Sequence, residues 1–560
     1  MNDIAATAAI DPELLVNVAH HLRTSARIQP FRRAVVFPAA RDANGRVAYS
    51  HLTFRQLDRE SDCFAHGLTH AGIGRGTRTI LMVRPSLEFF VLIFAMFKAG
   101  AVPVVVDPGM GIRRMLACLQ ESRAQAMIGI PPAHVLRVLR PAAFRGVRTV
   151  VTVGRRWFWR GLRMADIRAL PWKDFPIAET RGDELAAILF TTGSTGPAKG
   201  VMYTHGVFDA QVRLIREQFG ISPDEIDLAT FPLFALFDPA LGMTAVIPDM
   251  DPTRPAQVDP QKIIEAVLNH GVTNMFASPA LLNRVGRYGK EQNIKLSSLK
   301  RVISAGAPAT PANIAQFSTM LEDDGQIHTG YGATEAMPVS SFGSHEILSE
   351  TARLSEMGFG MCMGRPIKDI RLRIIAITEQ PIEEWSEVRL SPEGEIGEIV
   401  VSGDIVTSGY FDLPRDTALA KIKDGARIWH RMGDLGWIDK KGRLWFCGRK
   451  NHRVVMPRKT LFTIPCEAVF NGHPAVFRSA LVGVGRPPRQ RPVVCIELEA
   501  GQRSVDRRAL VEELRELARA NVLTEEIDTF LIHRHFPVDI RHNSKIFREK
   551  LAVWAEKRLR

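Results

Sequence analysis

Residues 191–200 read Thr191-Thr192-Gly193-Ser194-Thr195-Gly196-Pro197-Ala198-Lys199-Gly200, and this stretch decides the fold class. It follows an apolar run, residues 186–190, that is typical of a buried strand. The glycines allow backbone amides to approach an anion closely, the hydroxyls add further donors, and Lys199 adds a mobile cation. The sequence therefore predicts a phosphate-binding loop directly after a strand.

The residue order of this loop differs from that of the commonest nucleotide-binding motif. A P-loop requires serine or threonine directly after its lysine, whereas Gly200 follows Lys199. We therefore do not expect a P-loop NTPase. A flexible surface loop is the plainer alternative, but this mixture of glycine, hydroxyl and lysine after a strand favours an anion site.

Further segments downstream strengthen the interpretation of the loop. In chain order they are Ser304-Ala305-Gly306-Ala307-Pro308, Tyr331-Gly332-Ala333-Thr334-Glu335, residues 397–403, residues 432–436, Cys447-Gly448-Arg449 and the near-terminal Lys545. In this order they resemble the adenylate-forming superfamily of acyl-CoA synthetases, luciferases and nonribosomal adenylation domains. The resemblance implies activation of a carboxylic acid by ATP, with Mg²⁺ as the metal.

The resemblance also assigns roles to individual residues. Tyr331 offers a flat face to adenine, Thr334 a hydroxyl to the α-phosphate, and Glu335 an oxygen ligand to Mg²⁺. The expected catalytic residues are Lys545, Glu335 and Thr334. The expected phosphate contacts are Thr191, Thr192, Gly193, Ser194, Thr195, Gly196 and Lys199. The expected adenine and ribose contacts are Gly306, Ala307, Pro308, Tyr331, Gly332, Asp434 and Arg449.

Length and composition are those of a large α/β enzyme. The chain has 560 residues, of which 46% are hydrophobic, and can form more than one core. Apolar β-rich runs such as residues 78–83 and 273–277 alternate with helical patterns such as 86–99 and 259–270, as in a mostly parallel sheet. The resemblance implies stacked sheets and a distorted β-barrel subdomain in a large domain, 1–449, followed by a small mobile α+β domain, 450–560, that delivers Lys545.

Several features indicate the compartment. The first twenty residues contain acids and lack the apolar centre of a signal peptide, and the apolar run 89–97 is too short to span a bilayer. The six cysteines are scattered without the paired spacing of a zinc site. We therefore expect a cytoplasmic protein with reduced thiols.

The net charge of +13 is unevenly distributed. Residues 137–163 contain eight arginines and no acid, including the stretch Arg155-Arg156-Trp157-Phe158-Trp159-Arg160. Basic residues interleaved with aromatics suit an anionic membrane surface or a protein partner, such as another enzyme of the same pathway. The alternative is a solvated face with tryptophans packed beneath it. No recognisable nucleic-acid-reading motif accompanies the charge, so we expect no nucleic-acid partner.

Three stretches, residues 230–241, 247–255 and 536–543, resemble one branch of the superfamily, the β-lactone synthetases of bacterial long-chain olefin biosynthesis. This resemblance implies a long-chain 2-alkyl-3-hydroxyalkanoate, which is adenylated with release of pyrophosphate. Its own 3-hydroxyl then displaces AMP to close a cis-β-lactone, an olefin precursor. Candidates for lining the acyl pocket are Phe231, Phe234, Leu236 and Phe237, although each could equally be a core residue.

Departures from the superfamily pattern argue against a CoA-dependent step. Thioester-forming relatives usually carry glycines after the hinge, whereas residues 456–461 contain none. Asn451 occupies the hinge position, where the superfamily commonly has aspartate or lysine. Ala235 replaces the histidine of the superfamily's usual Pro-x-Phe-His segment. Two alternatives remain open, a long-chain fatty acyl-CoA ligase and a non-catalytic basic scaffold. Asp238 and His205 are both candidates to accept the proton of the hydroxyl, and the sequence does not select between them.

Overall fold

The computed structural model describes residues 15–191, 198–231, 237–499, 501, 505–538 and 546–560. Within these residues the chain forms three large sheets and two small ones. Two of the large sheets are mostly parallel and carry helices, and the third is antiparallel. The α/β class predicted from alternating strand and helix patterns is confirmed.

The first sheet has nine described strands and supplies one wall of the candidate site. In spatial order they are Arg365–Pro366, Ala336–Gly343, Gln326–Ala333, Arg301–Ser304, Asn274–Phe276, Ile226–Leu228, Thr244–Val246, Arg33–Arg41 and Val47–Thr53. The central strands are parallel, and the flanking pairs are antiparallel. The short strands Asn274–Phe276 and Thr244–Val246 are buried along their whole length, as expected inside a parallel sheet.

The second sheet has seven described strands and contains the glycine-rich loop. In spatial order they are Leu162–Arg163, Thr149–Thr152, Ala126–Gly129, Arg78–Met82, Val102–Val106, Leu185–Thr191 and Lys199–Thr204. The last two strands are antiparallel, and Thr191 lies opposite Lys199. The predicted strand over residues 186–190 is confirmed, and the loop is the connection of a hairpin.

The third sheet is a curled antiparallel half-barrel. Its strands are Met361–Cys362, Leu444–Arg449, Arg427–Ile438, Gly397–Ser402 and Arg371–Ile375, and Lys421–Asp424 pairs along the edge of Arg427–Ile438. A turn at Lys440-Lys441-Gly442 connects the strands Arg427–Ile438 and Leu444–Arg449.

Beyond residue 449 the chain forms smaller sheets. Val454–Val455 pairs with Thr460–Leu461, and Val476–Val484, Arg491–Leu498 and Phe530–Ile532 form a three-stranded sheet. Their side chains pack into separate hydrophobic clusters with the helices Thr463–Asn471, Arg507–Arg519 and Arg548–Leu559. A division of the chain at residues 449 and 450 remains our proposal.

Helices cover the large sheets. Their bounds are Ala19–Ile28, Phe54–His70, Leu87–Lys98, Ile112–Glu121, Pro131–Leu139, Met164–Ile167, His205–Phe219, Phe237–Leu241, Pro260–His270, Pro279–Glu291, Pro311–Ser318, Ser344–Glu346, Ala352–Glu356 and Pro414–Ala420. Leu87–Lys98 begins where the Ser86 side chain caps the Phe89 amide, and its nearly all-apolar sequence places it in the core. Among the helices that the structure describes, none is long and apolar enough to cross a bilayer.

Candidate active site

Lys199 lies at the start of the second strand of the hairpin and lines a cavity that also has Tyr331, Thr334 and Glu335 in its wall. Its ammonium is 2.5 Å from a carboxylate oxygen of Asp416 and 4.8 Å from the ring centre of Tyr410. Both side chains are only half-buried, so the pair is accessible to a ligand. A phosphate group could therefore replace Asp416 as the partner of Lys199. The predicted phosphate contacts Thr192–Gly196, and the side chain of Thr191, lie outside the described part of the structure.

Thr334 and Glu335 form the tight turn between two antiparallel strands of the first sheet, Gln326–Ala333 and Ala336–Gly343. The Tyr203 hydroxyl donates to the Thr334 carbonyl at 2.6 Å. The Thr407 amide and hydroxyl both donate to the Glu335 carbonyl, at 3.0 and 3.1 Å. These contacts hold the turn against the edge of the cavity.

The Glu335 side chain has a fixed hydrogen-bond donor. The Tyr410 hydroxyl donates to its Oε1 at 2.6 Å. Burial and the neighbouring Glu335 carboxylate raise the pKa of Tyr410, so the phenol stays protonated. The Glu335 carboxyl group is thus held at the cavity wall by one fixed hydrogen bond.

Mg²⁺ suits this arrangement. It is usually held by one or two carboxylates together with substrate phosphates and waters. The described residues contain no group of three or more histidine, cysteine, aspartate or glutamate side chains that could form a metal cage. Glu335, as a single oriented carboxylate in the same cavity as Lys199, fits a metal that arrives with a nucleotide.

Tyr331, Asp434 and Arg449 form a connected polar group between the first and third sheets. The Tyr331 hydroxyl donates to Asp434 Oδ2 at 2.8 Å, and Arg449 Nη1 lies 3.0 Å from Asp434 Oδ1. Asp434 and Arg449 are direct cross-strand neighbours, so the register of the half-barrel creates their ion pair. The nearby Asp434 raises the pKa of Arg449. The pKa of Tyr331 is raised mainly by burial and secondly by Asp434.

The other predicted adenine and ribose residues lie close by. Gly306 follows the strand Arg301–Ser304 with a φ of +91°, a conformation that favours glycine, and it lines the cavity together with Tyr331 and Gly332. Ala307 and Pro308 come next along the chain and are half-buried. Ala307, Pro308 and Asp434 are not in the wall of the cavity that the described residues form. Asp434 instead contacts two residues of that wall, Tyr331 and Arg449.

The same cavity, of about 570 Å³, also has an extensive aromatic wall. Phe231 and Phe237, both predicted for the acyl pocket, line it. Phe231 packs 6.0 Å from Phe276, and Phe237 packs 6.0 Å from Phe208, measured between ring centres. The other two predicted residues, Phe234 and Leu236, lie outside the described residues, as does Lys545.

Sequence reasoning missed several residues of this site, of which Tyr410 and Tyr203 are the clearest. A signal for them exists in the composition. The chain has only five tyrosines, and three of them, Tyr203, Tyr331 and Tyr410, line one cavity. A scarce residue with both an aromatic face and a hydroxyl is a reasonable marker of a binding site.

Lys421 and His430 are buried cross-strand neighbours behind Glu335, and no sequence motif predicts their pairing. Burial lowers the pKa of Lys421 to about 7, opposed by the Glu335 charge. The Lys421 ammonium lies 3.4 Å from the Thr407 hydroxyl, which itself bonds the Glu335 carbonyl. The pKa of His430 is lowered by burial and by Lys421. The pair therefore adds a weak, buried positive charge near the candidate metal ligand.

Comparison with known proteins supports a nucleotide site. Residues 22–411 match the model of the AMP-binding enzyme family. The chain is 49% identical to an olefin beta-lactone synthetase of Stenotrophomonas maltophilia, over 97% of this chain and 98% of the relative. It is 47% identical, with the same coverage of both chains, to an olefin beta-lactone synthetase of Xanthomonas campestris pv. campestris.

Solved structures show the same fold at lower identity. The amide bond synthetase McbA from Marinactinospora thermotolerans superposes with a TM-score of 0.78 at 22% identity, covering 96% of this chain and 99% of that protein.

Proposed function

The chain belongs to the AMP-binding enzyme family and, by its 47–49% identity, groups with olefin β-lactone synthetases; on this premise we propose that it is an ATP-dependent β-lactone synthetase. It adenylates the carboxylate of a long-chain 2-alkyl-3-hydroxyalkanoate and releases pyrophosphate. The 3-hydroxyl then displaces AMP to give a cis-β-lactone, a precursor of long-chain olefins. The observation that carries this proposal is a single cavity lined by both the nucleotide candidates and an aromatic wall.

Adenylation requires alignment and charge neutralisation more than covalent chemistry. In our proposal Tyr331 packs on the adenine, while Asp434 and Arg449 hold the ribose. Lys199 and the glycine-rich loop bind the phosphates, and Lys545 bridges the carboxylate and the α-phosphate. Mg²⁺ bound with ATP would neutralise phosphate charge, with Glu335 as its protein ligand. Thr334 donates to the α-phosphate from the clamped turn.

The segment after the hinge supports ring closure without CoA. Residues 456–459 form a tight hairpin connection between Val454–Val455 and Thr460–Leu461, in which the Met456 amide donates to the Lys459 carbonyl. Side chains at each of these positions take up space where thioester-forming relatives usually carry glycine. An intramolecular hydroxyl needs no such entry, because it arrives with the acyl group.

The decisive experiment is mass spectrometry of the products from a 2-alkyl-3-hydroxy fatty acid, ATP and Mg²⁺, with and without CoA. A product lighter than the substrate by one water, formed without CoA, is expected. A CoA-dependent thioester would instead assign the protein as a fatty acyl-CoA ligase. ATP binding with neither adenylate nor product would assign a scaffold.

The arginine-rich and aromatic stretch at residues 155–160 favours contact with an anionic membrane. Trp157 and Phe158 are 54% and 70% exposed, and Arg155, Arg156 and Arg160 beside them are exposed as well. Trp159, by contrast, is buried, stacks on His134 and donates to Thr152, so it anchors the stretch to the fold. Exposed aromatics between arginines suit a lipid interface, where rings enter the headgroup layer and arginines pair with phosphates. A pathway enzyme with an acidic surface is the competing partner.

A further inference from the structure

Two aspartates lie in the wall of the cavity away from the charged groups described above. Asp227 is on the short strand Ile226–Leu228 of the first sheet, and Asp238 is on the helix Phe237–Leu241. Both line the cavity, and their residues are only 8% and 4% exposed. The two carboxyls interact directly, and their hydrogen-bonding interaction favours a lower pKa for Asp227 and a higher pKa for Asp238, so Asp238 is the protonated member of the pair.

The surroundings of this carboxyl pair do not neutralise it. Burial is the main cause of the raised pKa of both aspartates. The pKa of Asp227 rises to about 7. The pKa of Asp238 rises well above its usual value, and the neighbouring Asp227 raises it further. Glu225 adds a further negative charge, and the opposing Arg301 is already paired with Glu225 at 2.7 Å. Holding two carboxyls here costs stability, so packing alone does not account for the pair.

One oxygen of the pair is left without a hydrogen bond. Asp238 Oδ2 is buried and has no partner among the residues that the structure describes. Buried polar atoms in native proteins are nearly always hydrogen-bonded, so an exception in a cavity wall points to a ligand that supplies the donor. The surrounding wall is aromatic, and the donor must therefore come from a polar group within a largely apolar ligand.

The other candidate proton acceptor, His205, is placed differently. It begins the helix His205–Phe219, its Nδ1 accepts from the Val18 amide at 3.4 Å, and its ring packs near Phe97. Among described residues it is not part of the cavity wall. Burial lowers its pKa to about 4. The structure thus separates two residues that the sequence left equivalent.

We propose that Asp238, supported by Asp227, binds the 3-hydroxyl of the substrate and accepts its proton during ring closure. This inference rests on the proposed function. In the step, the hydroxyl oxygen forms a bond to the acyl carbonyl carbon, and the bond from that carbon to the phosphate oxygen breaks. AMP leaves with the electron pair. The hydroxyl proton passes to Asp238 Oδ2 while the proton that Asp238 already holds moves to the carboxylate of Asp227, so the pair gains one proton in all. No further reactant is required.

The pair also explains how the cavity selects a hydroxy acid. An acid without the 3-hydroxyl would leave Asp238 Oδ2 unpaired inside an apolar site. Sites built to hydrogen-bond a substrate hydroxyl reject analogues that lack it far more strongly than they reject a change in chain length. Asp238 therefore determines specificity as well as accepting the proton.

The test is a single-turnover experiment on the full-length protein with Asp238→Asn, Asp227→Asn and His205→Gln. Acyl-adenylate and lactone are quantified after rapid quenching, and the rate of ring closure is expressed per adenylate formed. We expect Asp238→Asn to reduce that rate about 10²-fold or more, which is typical for loss of a general base. Its preference for the 3-hydroxy acid over the 3-deoxy acid in adenylate formation should also fall. His205→Gln should close the ring at the wild-type rate.

Each result decides the proposal. Ring closure by Asp238→Asn at the wild-type rate per adenylate overturns it, as does an unchanged preference for the 3-hydroxy acid. If the asparagine variants do not fold, the pH profile of ring closure in the wild-type protein decides: a rise through about pH 7 supports the role of the pair, and a flat profile from pH 5.5 to 9 contradicts it. A wild-type protein that makes thioester and no lactone would instead refute the proposed function itself.

Discussion

Replacing Asp238 by asparagine should stabilise the folded protein at pH 8 and leave its stability near that of the wild type at pH 4.5. Both carboxyls of the Asp227–Asp238 pair have raised pKa values in the folded state. Between the unfolded and folded pKa values the native protein keeps protons that the unfolded chain has released. Raising the pH through this window therefore destabilises the native state. Asparagine cannot ionise, so the variant escapes this loss.

The magnitude follows from the pH interval, because Asp227 is present in both proteins and only the titration of Asp238 is removed. A carboxyl that keeps its proton in the folded protein while the unfolded chain releases it costs about 1.4 kcal/mol of stability per pH unit. From pH 4.5 to 8 the loss caused by Asp238 is therefore at most about 5 kcal/mol. We expect the variant to gain about 1–4 kcal/mol on the wild type as the pH rises from 4.5 to 8, or several degrees in Tm.

Thermal unfolding at matched scan rates measures this difference at each pH. The matched control is Asp166→Asn, which replaces an exposed aspartate whose pKa is lowered to about 2 by Arg163. The Tm difference between this variant and the wild type should be the same at pH 4.5 and pH 8, because both pH values lie above that pKa. If the Tm difference between Asp238→Asn and wild type is the same at pH 4.5 and 8, the carboxyl pair does not titrate as argued. A gain at pH 8 together with slow ring closure would show a residue retained for chemistry at the expense of stability.

Three further predictions concern the proposed function. Lys545→Ala should abolish adenylate formation with little loss of ATP binding, measured by pyrophosphate exchange and calorimetry; unchanged product formation would refute its role. Asp434→Asn should raise the KM for ATP about tenfold or more, because it removes the charge that orients Arg449, and an unaltered KM would contradict the ribose assignment. Replacing Arg155, Arg156 and Arg160 by glutamine should weaken sedimentation with anionic vesicles and leave binding to neutral vesicles unchanged. Equal binding of both proteins to anionic vesicles would exclude the membrane contact.

Local sequence predicted the fold well because its signals are local. The strand Leu185–Thr191 and the helix Leu87–Lys98 follow from apolar runs and a serine cap, and the motif order predicted an α/β enzyme with an antiparallel subdomain. The assembly of Tyr331, Asp434 and Arg449 into one polar group matches the prediction that they serve a common ligand. Their ligand-binding roles stay predictions.

Other parts of the site depend on contacts that spacing does not encode. Tyr410 reaches Glu335 from 75 residues further along the chain. The sequence named Asp238 as one of two candidate proton acceptors, but nothing in the chain reveals that Asp227 and Asp238 are buried in one wall. Because burial strongly shifts the pKa of a carboxyl, the pairing of Asp238 with Asp227 emerges only once the packing is known.

The aromatic wall of the cavity has a consequence for how the product leaves. Ring closure removes the carboxylate charge and the hydroxyl donor, so the lactone is more lipophilic than the acid that entered. Each buried methylene favours retention by about 0.8 kcal/mol, and a long-chain product has little affinity for water to offset this. Escape into solvent therefore becomes the slow step, and steady-state turnover should rise when vesicles or detergent provide an apolar acceptor. In our proposal the phenylalanines that hold the acyl chain of the substrate are also the ones that retain the product.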